Sequence, residues 1–269
     1  MRRYLSGKVV WITGASSGIG RALALETASR GARLVLSGRR AGALEEVAAE
    51  CRARGAEAAV LAFDLEAPEA RASACSDAPL PFGRIDAIVL NAGVSQRSLF
   101  METAPEAFDR VMRLDFDAQV DLVRRMLPAM AERGSGCLLA VSSIAGLAGA
   151  PLRPAYSSAK HALAGLFQNL RAELYGTGLR IVTAYPGYVR TRIARNALDA
   201  GGRPTGAEDP NIEGGADPAR VARRMARSLA GGRVEYTVGF DAKARFGLFL
   251  SRYLPAAWAA LSRRHAGLV

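Results

Sequence analysis

The chain has 269 residues, of which 50% are hydrophobic and 23% charged, a composition typical of one large globular domain. Its formal net charge of +11 comes from dispersed arginines without zinc-ligand spacing, so we expect neither a nucleic-acid partner nor a metal site. Three cysteines without CxxC spacing argue against a disulfide framework, and no apolar run is long enough to span a bilayer, so we expect a cytoplasmic location.

Short apolar runs alternate with longer helical patterns along the chain. We predict strands at residues 9–13, 33–37, 58–63, 87–90, 137–142, 180–184 and 234–238. We predict helices near residues 19–30, 41–54, 66–77, 105–132, 155–176 and 217–230. Continuously apolar strands indicate a sheet that is buried on both faces, and their alternation with helices indicates parallel strands. The expected fold is α/β, a single Rossmann-type doubly wound parallel sheet of about seven strands with helices on both faces.

A glycine-rich loop, TGASSGIG from Thr13, joins the first predicted strand to the first predicted helix. Its three glycines permit a tight turn, a close approach of the backbone to a pyrophosphate, and close packing of the helix. The N-terminus of that helix offers free N–H groups and a positive potential to phosphates. The position between a strand and a helix therefore predicts a dinucleotide site. The loop residues expected to contact the cofactor are Gly14, Ser16, Ser17, Gly18, Ile19 and Gly20.

The end of the second predicted strand indicates which dinucleotide binds. A carboxylate at this place would bind the ribose hydroxyl of NAD, but the segment Ser37-Gly38-Arg39-Arg40 contains none. A guanidinium matches a phosphate with two parallel hydrogen bonds, which makes Arg39 the candidate for binding a 2′-phosphate. The alternative is that both arginines are surface charges at the start of the next helix. We expect NADP(H) rather than NAD(H).

A pair of residues suited to proton transfer lies on the fifth predicted helix. Tyr156 and Lys160 are four residues apart and therefore lie on the same helix face. A cation beside a phenol favours the phenolate, which makes a tyrosine usable as a proton donor and acceptor. Ser143, thirteen residues before Tyr156, follows the fifth predicted strand, and Ser142 is the alternative candidate. On its own, the same spacing is also typical of a solvated helix face.

Together these motifs resemble the short-chain dehydrogenase/reductase family. The matching pieces, in the family's order over nearly the whole chain, are residues 13–20, Asp64-Leu65, Asn91-Ala92-Gly93, Ser143, Tyr156, Lys160 and residues 186–191. Within the family, residues 34–39, 41–46 and 158–162 are similar to the branch that contains the 11β-hydroxysteroid dehydrogenases and the dehydrogenase/reductase member 7 group.

The resemblance implies a role for each matching residue. Tyr156 is expected to be the general acid in carbonyl reduction and the base in alcohol oxidation. Lys160 would bind the nicotinamide ribose, and Ser143 would hydrogen-bond the reacting oxygen. The other implied cofactor contacts are Asp64 and Leu65 at the adenine, Asn91, Ala92 and Gly93 at the ribose, and Pro186, Gly187, Val189 and Thr191 at the nicotinamide. Family members commonly pair through their central helices, so a homodimer or homotetramer is expected.

The chain departs from the family in the long central helix. Where the family has the asparagine of its catalytic tetrad, this chain has Asp115. In the family that residue acts mainly through its backbone carbonyl in a proton relay to the lysine, so Asp115 can keep the geometry while adding a carboxylate. We expect this charge either to oppose ionisation of the tyrosine or to pair with Lys160, with activity retained. Leu90 also replaces the first of two family asparagines, and we expect it to affect strand packing only.

Two segments lie beyond the expected cofactor site. Residues 192–217 occupy the place of the family's variable lid, and glycine pairs near both ends indicate either a gating lid or a flexible loop. Residues 241–269 mix aromatic residues with five basic residues and one acid, for a charge of +4. This tail suits either packing on its own domain or a partner subunit, or peripheral contact with a membrane, and Pro255 would break any helix in it. We therefore expect a dinucleotide-binding and catalytic domain at 1–240 with a C-terminal extension at 241–269.

Apolar residues near the expected site favour a lipophilic substrate. Ile144, Leu147, Leu152, Tyr188 and Ile193 would form its wall. We predict an NADP(H)-dependent oxidoreductase that interconverts a lipophilic ketone or aldehyde and its alcohol. The alternatives are a reductase of 3-oxoacyl groups on an acyl carrier, and a non-catalytic NADP(H)-sensing protein that retains the fold.

Overall fold

Seven parallel strands form the central sheet of this protein, whose computed structural model describes residues 5–268. The strands are β1 Val9–Thr13, β2 Arg33–Gly38, β3 Ala58–Ala62, β4 Ala87–Leu90, β5 Gly136–Val141, β6 Leu179–Pro186 and β7 Glu235–Val238. Their spatial order is β3-β2-β1-β4-β5-β6-β7, and each neighbouring pair is parallel. The direction of winding reverses between β1 and β4, the place where doubly wound sheets bind their ligands. The predicted fold class is confirmed.

Helices cover both faces of the sheet. They are α1 Gly18–Ser29, α2 Ala41–Arg52, α3 Pro68–Asp77, α4 Pro105–Met112, α5 Ala118–Glu132, α6 Pro154–Glu173, α7 Pro210–Glu213, α8 Pro218–Ala230, α9 Ala242–Tyr253 and α10 Pro255–His265. Short 3₁₀ turns lie at Phe100–Glu102 and Ile144–Gly146. A proline at the first helical position is favourable because its fixed φ suits the first turn and its missing N–H would be unpaired there. Pro255 ends one tail helix and starts the next, as its position predicts.

The two faces of the sheet bury separate hydrophobic clusters. Val10 and Ile12 of β1 pack in the cluster with α1, α2 and α8, while Val9 and Trp11 pack in the cluster with α5 and α6. Alternate residues of a strand point to opposite faces, so a strand that is covered on both sides must be apolar throughout. All five residues of β1 are buried. This is the physical reason for the continuous apolar runs in the sequence.

The long central helix predicted over 105–132 runs through those residues and contains a π-helical turn at its middle. A π-helical turn at Arg113–Asp117 separates α4 from α5. Such a turn inserts an extra residue, and π turns occur frequently at functional sites. Asp115 lies within it and is fully buried. Apolar periodicity continues on both sides of the turn, so the pattern of the sequence does not reveal it.

The segment 192–217 is tied to the rest of the domain at several points. Isolated β-bridges join Leu198 to Gln96 and Pro204, and the short helix α7 lies within the segment. The carboxylate of Asp209 caps α7 and accepts hydrogen bonds from Arg153, at 2.8 Å, and from Arg97, at 3.4 Å. Arg153 immediately precedes α6, so these ion pairs connect the segment to the start of the helix that carries Tyr156.

The helices α9 and α10 form a hairpin at the C-terminal end of the described chain. A Cβ on Gly247 would lie 3.0 Å from the Trp258 ring, so glycine lets the two helices approach closely. The Trp258 indole N–H donates to the carbonyl of Gly149 at 2.8 Å, which fixes the hairpin to the segment between Ser143 and Tyr156. Among residues 5–268, no helix is long and apolar enough to cross a membrane.

Candidate active site

The glycine loop has the shape that a pyrophosphate requires. Gly14 and Gly18 have positive φ angles of 65° and 55°, in the left-handed region that glycine adopts without strain. A Cβ on Gly20 would lie 2.2 Å from the backbone oxygen of Gly14, so only glycine fits there. Ser17, the N-cap of α1, makes no side-chain hydrogen bond to the helix start. The first turn of α1 therefore has no side-chain cap and is suited to bind phosphate oxygens through its N–H groups.

Thr13 and Asn91 hold the glycine loop against the end of β4. The Asn91 amide donates to the backbone oxygens of Thr13, at 3.0 Å, and Gly14, at 3.3 Å. The Thr13 hydroxyl accepts from the backbone N–H groups of Asn91 and Ala92 and donates to the carbonyl of Val89. In the sequence, Thr13 is recognisable only as the first residue of the loop motif. Its role in joining two strands at the point where the winding reverses comes from the tertiary structure.

Both arginines after β2 are exposed, and the assignment of Arg39 to a 2′-phosphate stays a prediction. The side chain of Arg40 approaches the loop, with 3.5 Å between its guanidinium and the hydroxyl of Ser16. It lines a surface groove together with Ser16, Ser17 and Gly18. Arg39 is exposed and acts on the carboxylate of Glu66, whose pKa is lowered mainly by its hydrogen bond to Arg110 and to a smaller extent by Arg39. The feature of the sequence that could have indicated the contact of Arg40 with the loop is its position directly before α2, where it is the N-cap residue.

A cavity of about 110 Å³ lies at the carboxyl ends of β4, β5 and β6. The structure brings most of the predicted site residues together in its wall. They are Ile19, Asn91, Gly93, Asp115, Ser143, Tyr156, Lys160, Pro186, Gly187, Val189 and Thr191. Ile144, Tyr188 and Ile193 of the expected apolar wall also line it, whereas Leu147 and Leu152 do not. Ile212 of α7 lies in the wall as well, which places the segment 192–217 against the cavity.

Tyr156 and Lys160 are both buried in this cavity on one face of α6. The ammonium lies 5.6 Å from the centroid of the Tyr156 ring and donates to the backbone oxygen of Val141 at 3.3 Å. The hydroxyl of Ser142 donates to the backbone oxygen of Lys160 at 3.0 Å and is therefore committed to packing α6 on β5. The hydroxyl of Ser143 accepts only a local N–H, from Ala145 at 3.1 Å. This geometry favours Ser143 over Ser142 as the group that contacts a reacting oxygen.

Asp115 and Lys160 form a buried ion pair, with 3.0 Å between carboxylate oxygen and ammonium nitrogen and side-chain exposures of 0% and 5%. The other carboxylate oxygen accepts from the N–H of Val94 at 2.7 Å. A Cβ on Gly93 would lie 2.7 Å from this carboxylate, so glycine makes room for it. Of the two expected arrangements, the structure shows the pairing with Lys160.

The charges of this ion pair are poorly solvated because both side chains are buried. Burial raises the pKa of Asp115 above its usual range, against the opposing effects of Lys160 and the Val94 N–H. Burial by itself lowers the pKa of Lys160, but the attraction of Asp115 and the effect of Tyr156 outweigh it, so that pKa is raised. Lys160 therefore holds its proton more firmly because Asp115 lies beside it.

The remaining predicted and unpredicted residues lie around this centre. Asp64 is exposed after β3 and accepts from the N–H of Glu66, while Leu65 is buried; neither lines the cavity. Two glutamines were missed by the sequence analysis. Gln96 accepts from the N–H of Ala155 at 2.9 Å in the first turn of α6, and Gln119 donates to the carbonyl of Ala92 at 2.9 Å. Glutamines outside a motif give no signal in one sequence.

Comparisons with known proteins show the family of this chain. The family described as short chain dehydrogenase matches residues 8–201. Dehydrogenase/reductase SDR family member 7B of Bos taurus is 39% identical over 235 residues, which are 85% of this chain and 72% of that protein.

Solved structures give the same result for the fold. A metagenomic short-chain oxidoreductase in complex with NADP superposes with a TM-score of 0.74 and 30% identity, over 87% of this chain and 98% of that one. A short chain dehydrogenase/reductase from Burkholderia phymatum in complex with NAD has a TM-score of 0.83 and 24% identity, over 95% and 96% of the two chains, a likeness of fold. On the family match and the identity to its relatives, the chain belongs to the short-chain dehydrogenase/reductase family of oxidoreductases.

Proposed function

We propose that this protein is an NADP(H)-dependent oxidoreductase that interconverts a lipophilic ketone or aldehyde and its alcohol. The observation that carries the proposal is the convergence of Ser143, Tyr156 and Lys160 in one cavity at the carboxyl ends of the strands, beside the glycine loop. The loop fits a dinucleotide because glycine alone is accommodated at position 20. When bound, NADP(H) supplies or accepts the hydride.

The residues of the chain supply the proton and the orientation. Tyr156 donates a proton to the carbonyl oxygen during reduction and removes it from the alcohol during oxidation. The hydroxyl of Ser143 donates a hydrogen bond to the same oxygen, where negative charge develops. The ammonium of Lys160 lies beside the Tyr156 ring and stabilises negative charge that develops there, and Asp115 holds the ammonium in place.

The walls of the cavity support a lipophilic substrate. Ile144, Tyr188, Ile193 and Ile212 line it beside the catalytic residues. We expect kcat/KM for a homologous series of ketones to rise with each added methylene, because each buried CH₂ contributes about 0.8 kcal/mol. Turnover of such a series, monitored by NADPH absorbance, tests this. Cofactor binding without turnover of any carbonyl compound, and without any effect of Tyr156→Phe, would instead show a sensing protein.

The preference for NADP(H) depends on the two arginines after β2. We expect Arg39→Ala and Arg40→Ala each to weaken NADPH binding about tenfold, since a hydrogen bond to a charged group contributes about 1.5–3 kcal/mol. Binding of NADH, which lacks the 2′-phosphate, should be unchanged. Fluorescence titration of both cofactors measures this, with the exposed Arg223→Ala of α8 as the matched control. Equal affinity of the unmodified protein for NADPH and NADH would refute the assignment.

Asp115 should set the pH dependence of the reaction. In alcohol oxidation the base must be deprotonated, so the rate rises with pH. Asp115→Asn removes the charge that raises the pKa of Lys160, so burial lowers that pKa and the rate should fall at the alkaline end of the profile, where Lys160 loses its proton. The amide oxygen can still accept from Val94, so turnover near neutral pH is retained or improved.

The matched control for this experiment is Asp117→Asn. It makes the same change of charge on the same π turn, but at an exposed residue, and should leave the profile in place. A loss of turnover by Asp115→Asn at every pH would instead show that the carboxylate itself has a positive role.

We further propose a cytoplasmic homodimer or homotetramer. The three cysteines are unpaired, which supports a reducing compartment. Phe100 and Met101, beside α4, are 67% and 91% exposed, and exposed apolar side chains of this size support a contact between subunits. Light scattering after size exclusion, on the unmodified protein and on Met101→Ser, measures the assembly.

A further inference from the structure

An aromatic stripe runs along the exposed side of α9. Phe246, Phe249 and Tyr253 are 57%, 52% and 63% exposed. Their spacing of i, i+3 and i+7 places them on one helix face, and the rings of Phe249 and Tyr253 lie 5.2 Å apart. Gly247 and Leu250 of the same helix are buried, so the side of α9 next to the stripe is seated on the protein. Leu254 and Leu261, which are 51% and 44% exposed, extend the apolar surface into α10.

Basic residues accompany the stripe. Arg245 and Arg252 lie along one flank of it, and Lys243 lies in the first turn of α9. Arg263 and Arg264 add two charges in the last turn of α10. Within residues 5–268, none of these five cations forms an ion pair. The acid of this segment, Asp241, caps α9 by accepting from the N–H of Ala244.

We propose that the α9–α10 hairpin is an interfacial anchor that binds the surface of an anionic lipid bilayer. Aromatic side chains insert at the level of the lipid headgroups, and flanking cations bind acidic headgroups. A second copy of this chain fits less well, because in a two-fold symmetric contact the same patch would meet itself and bring like charges together. No residue of α10 is buried, so that helix contributes a surface rather than a core.

The hairpin is hydrogen-bonded to the segment that precedes the active-site helix α6. Trp258 packs on Gly247 of α9 and donates to the carbonyl of Gly149, which lies between Ser143 and Tyr156. An anchored hairpin would therefore hold this segment near the membrane, where lipophilic carbonyl compounds concentrate. This consequence rests on the proposed function, whereas the binding of a bilayer does not.

Flotation of the full chain with lipid vesicles tests the anchor. We expect binding to vesicles of phosphatidylcholine with about 30% phosphatidylserine, much weaker binding to phosphatidylcholine alone, and release at high salt because the Debye length falls to about 3 Å at 1 M. Phe246→Ser with Phe249→Ser should lower the partition coefficient at least tenfold on either vesicle. Arg245→Gln with Arg252→Gln should lower it about 25-fold on the anionic vesicles alone, since each basic residue contributes about fivefold.

The control removes two exposed apolar side chains elsewhere, Leu80→Ser with Tyr175→Ser, which are 74% and 90% exposed. It should bind vesicles as the unmodified chain does. Absence of binding to anionic vesicles overturns the proposal. A second outcome also overturns it: the protein does not bind vesicles, and the phenylalanine variant has a lower molecular mass than the unmodified chain in light scattering. The stripe would then belong to a contact between copies of the chain. The arginine variant keeps the test valid if the phenylalanine variant fails to fold.

Discussion

Tyr156→Phe is expected to reduce carbonyl reduction about 10³-fold, because general acid catalysis by a positioned side chain contributes about 10²–10⁴-fold. The ring stays in its buried place beside Lys160, so the fold and the affinity for NADPH should be unchanged. The loss should therefore appear in kcat, with KM nearly constant, as for a group that acts in the transition state. Initial rates by NADPH absorbance and a cofactor titration on the same sample measure both quantities.

The matched control is Tyr188→Phe, which removes the other phenol that lines the same cavity. That ring stacks under Arg153, whose guanidinium lies 6.0 Å from its centroid, and phenylalanine preserves this contact. We expect less than about a tenfold loss of kcat/KM from it, the scale of one lost hydrogen bond. If Tyr188→Phe abolished turnover while Tyr156→Phe did not, the acid would be misassigned.

Gly20→Ala is expected to destroy the cofactor site. A Cβ there would lie 2.2 Å from the backbone oxygen of Gly14 and 2.6 Å from the amide of Asn91, and a backbone atom cannot yield without moving the loop. We expect the free energy of unfolding to fall by about 3 kcal/mol, the cost of overpacking a tight site. Affinity for NADPH should fall at least about tenfold, because the N–H groups of the loop no longer converge on the pyrophosphate.

Urea unfolding and cofactor titration measure these two effects. Gly42→Ala is the control, since a Cβ at that position in α2 meets nothing within 4 Å. It should stabilise the protein by about 0.5–1 kcal/mol, the usual gain when alanine replaces glycine in a helix. Normal stability and normal NADPH binding of Gly20→Ala would contradict the assignment of the loop.

Much of the fold could be predicted from the local pattern of apolar residues, because burial of the strands is the physical cause of that pattern. A strand covered on both faces must be apolar at every residue, and β1 and β4 accordingly have the predicted ends. The π turn between α4 and α5 could not be predicted from the sequence pattern. The π turn at Arg113–Asp117 is stabilised by what Asp115 contacts, Lys160 and Val94, and these residues come from other parts of the chain.

The sequence by itself determined the family, the parallel fold and the chemical type of the site, because each rests on short motifs whose own residues are near one another in the chain. Tyr156 and Lys160 share a helix face by spacing alone, and the glycine loop lies where a strand meets a helix.

Only the tertiary structure decided which arginine reaches Ser16, how Asp115 uses its charge, and that Trp258 ties the tail to the segment beside the active site. These are contacts between residues far apart in sequence. Packing of the sheet and its helices sets them, and no local pattern records them.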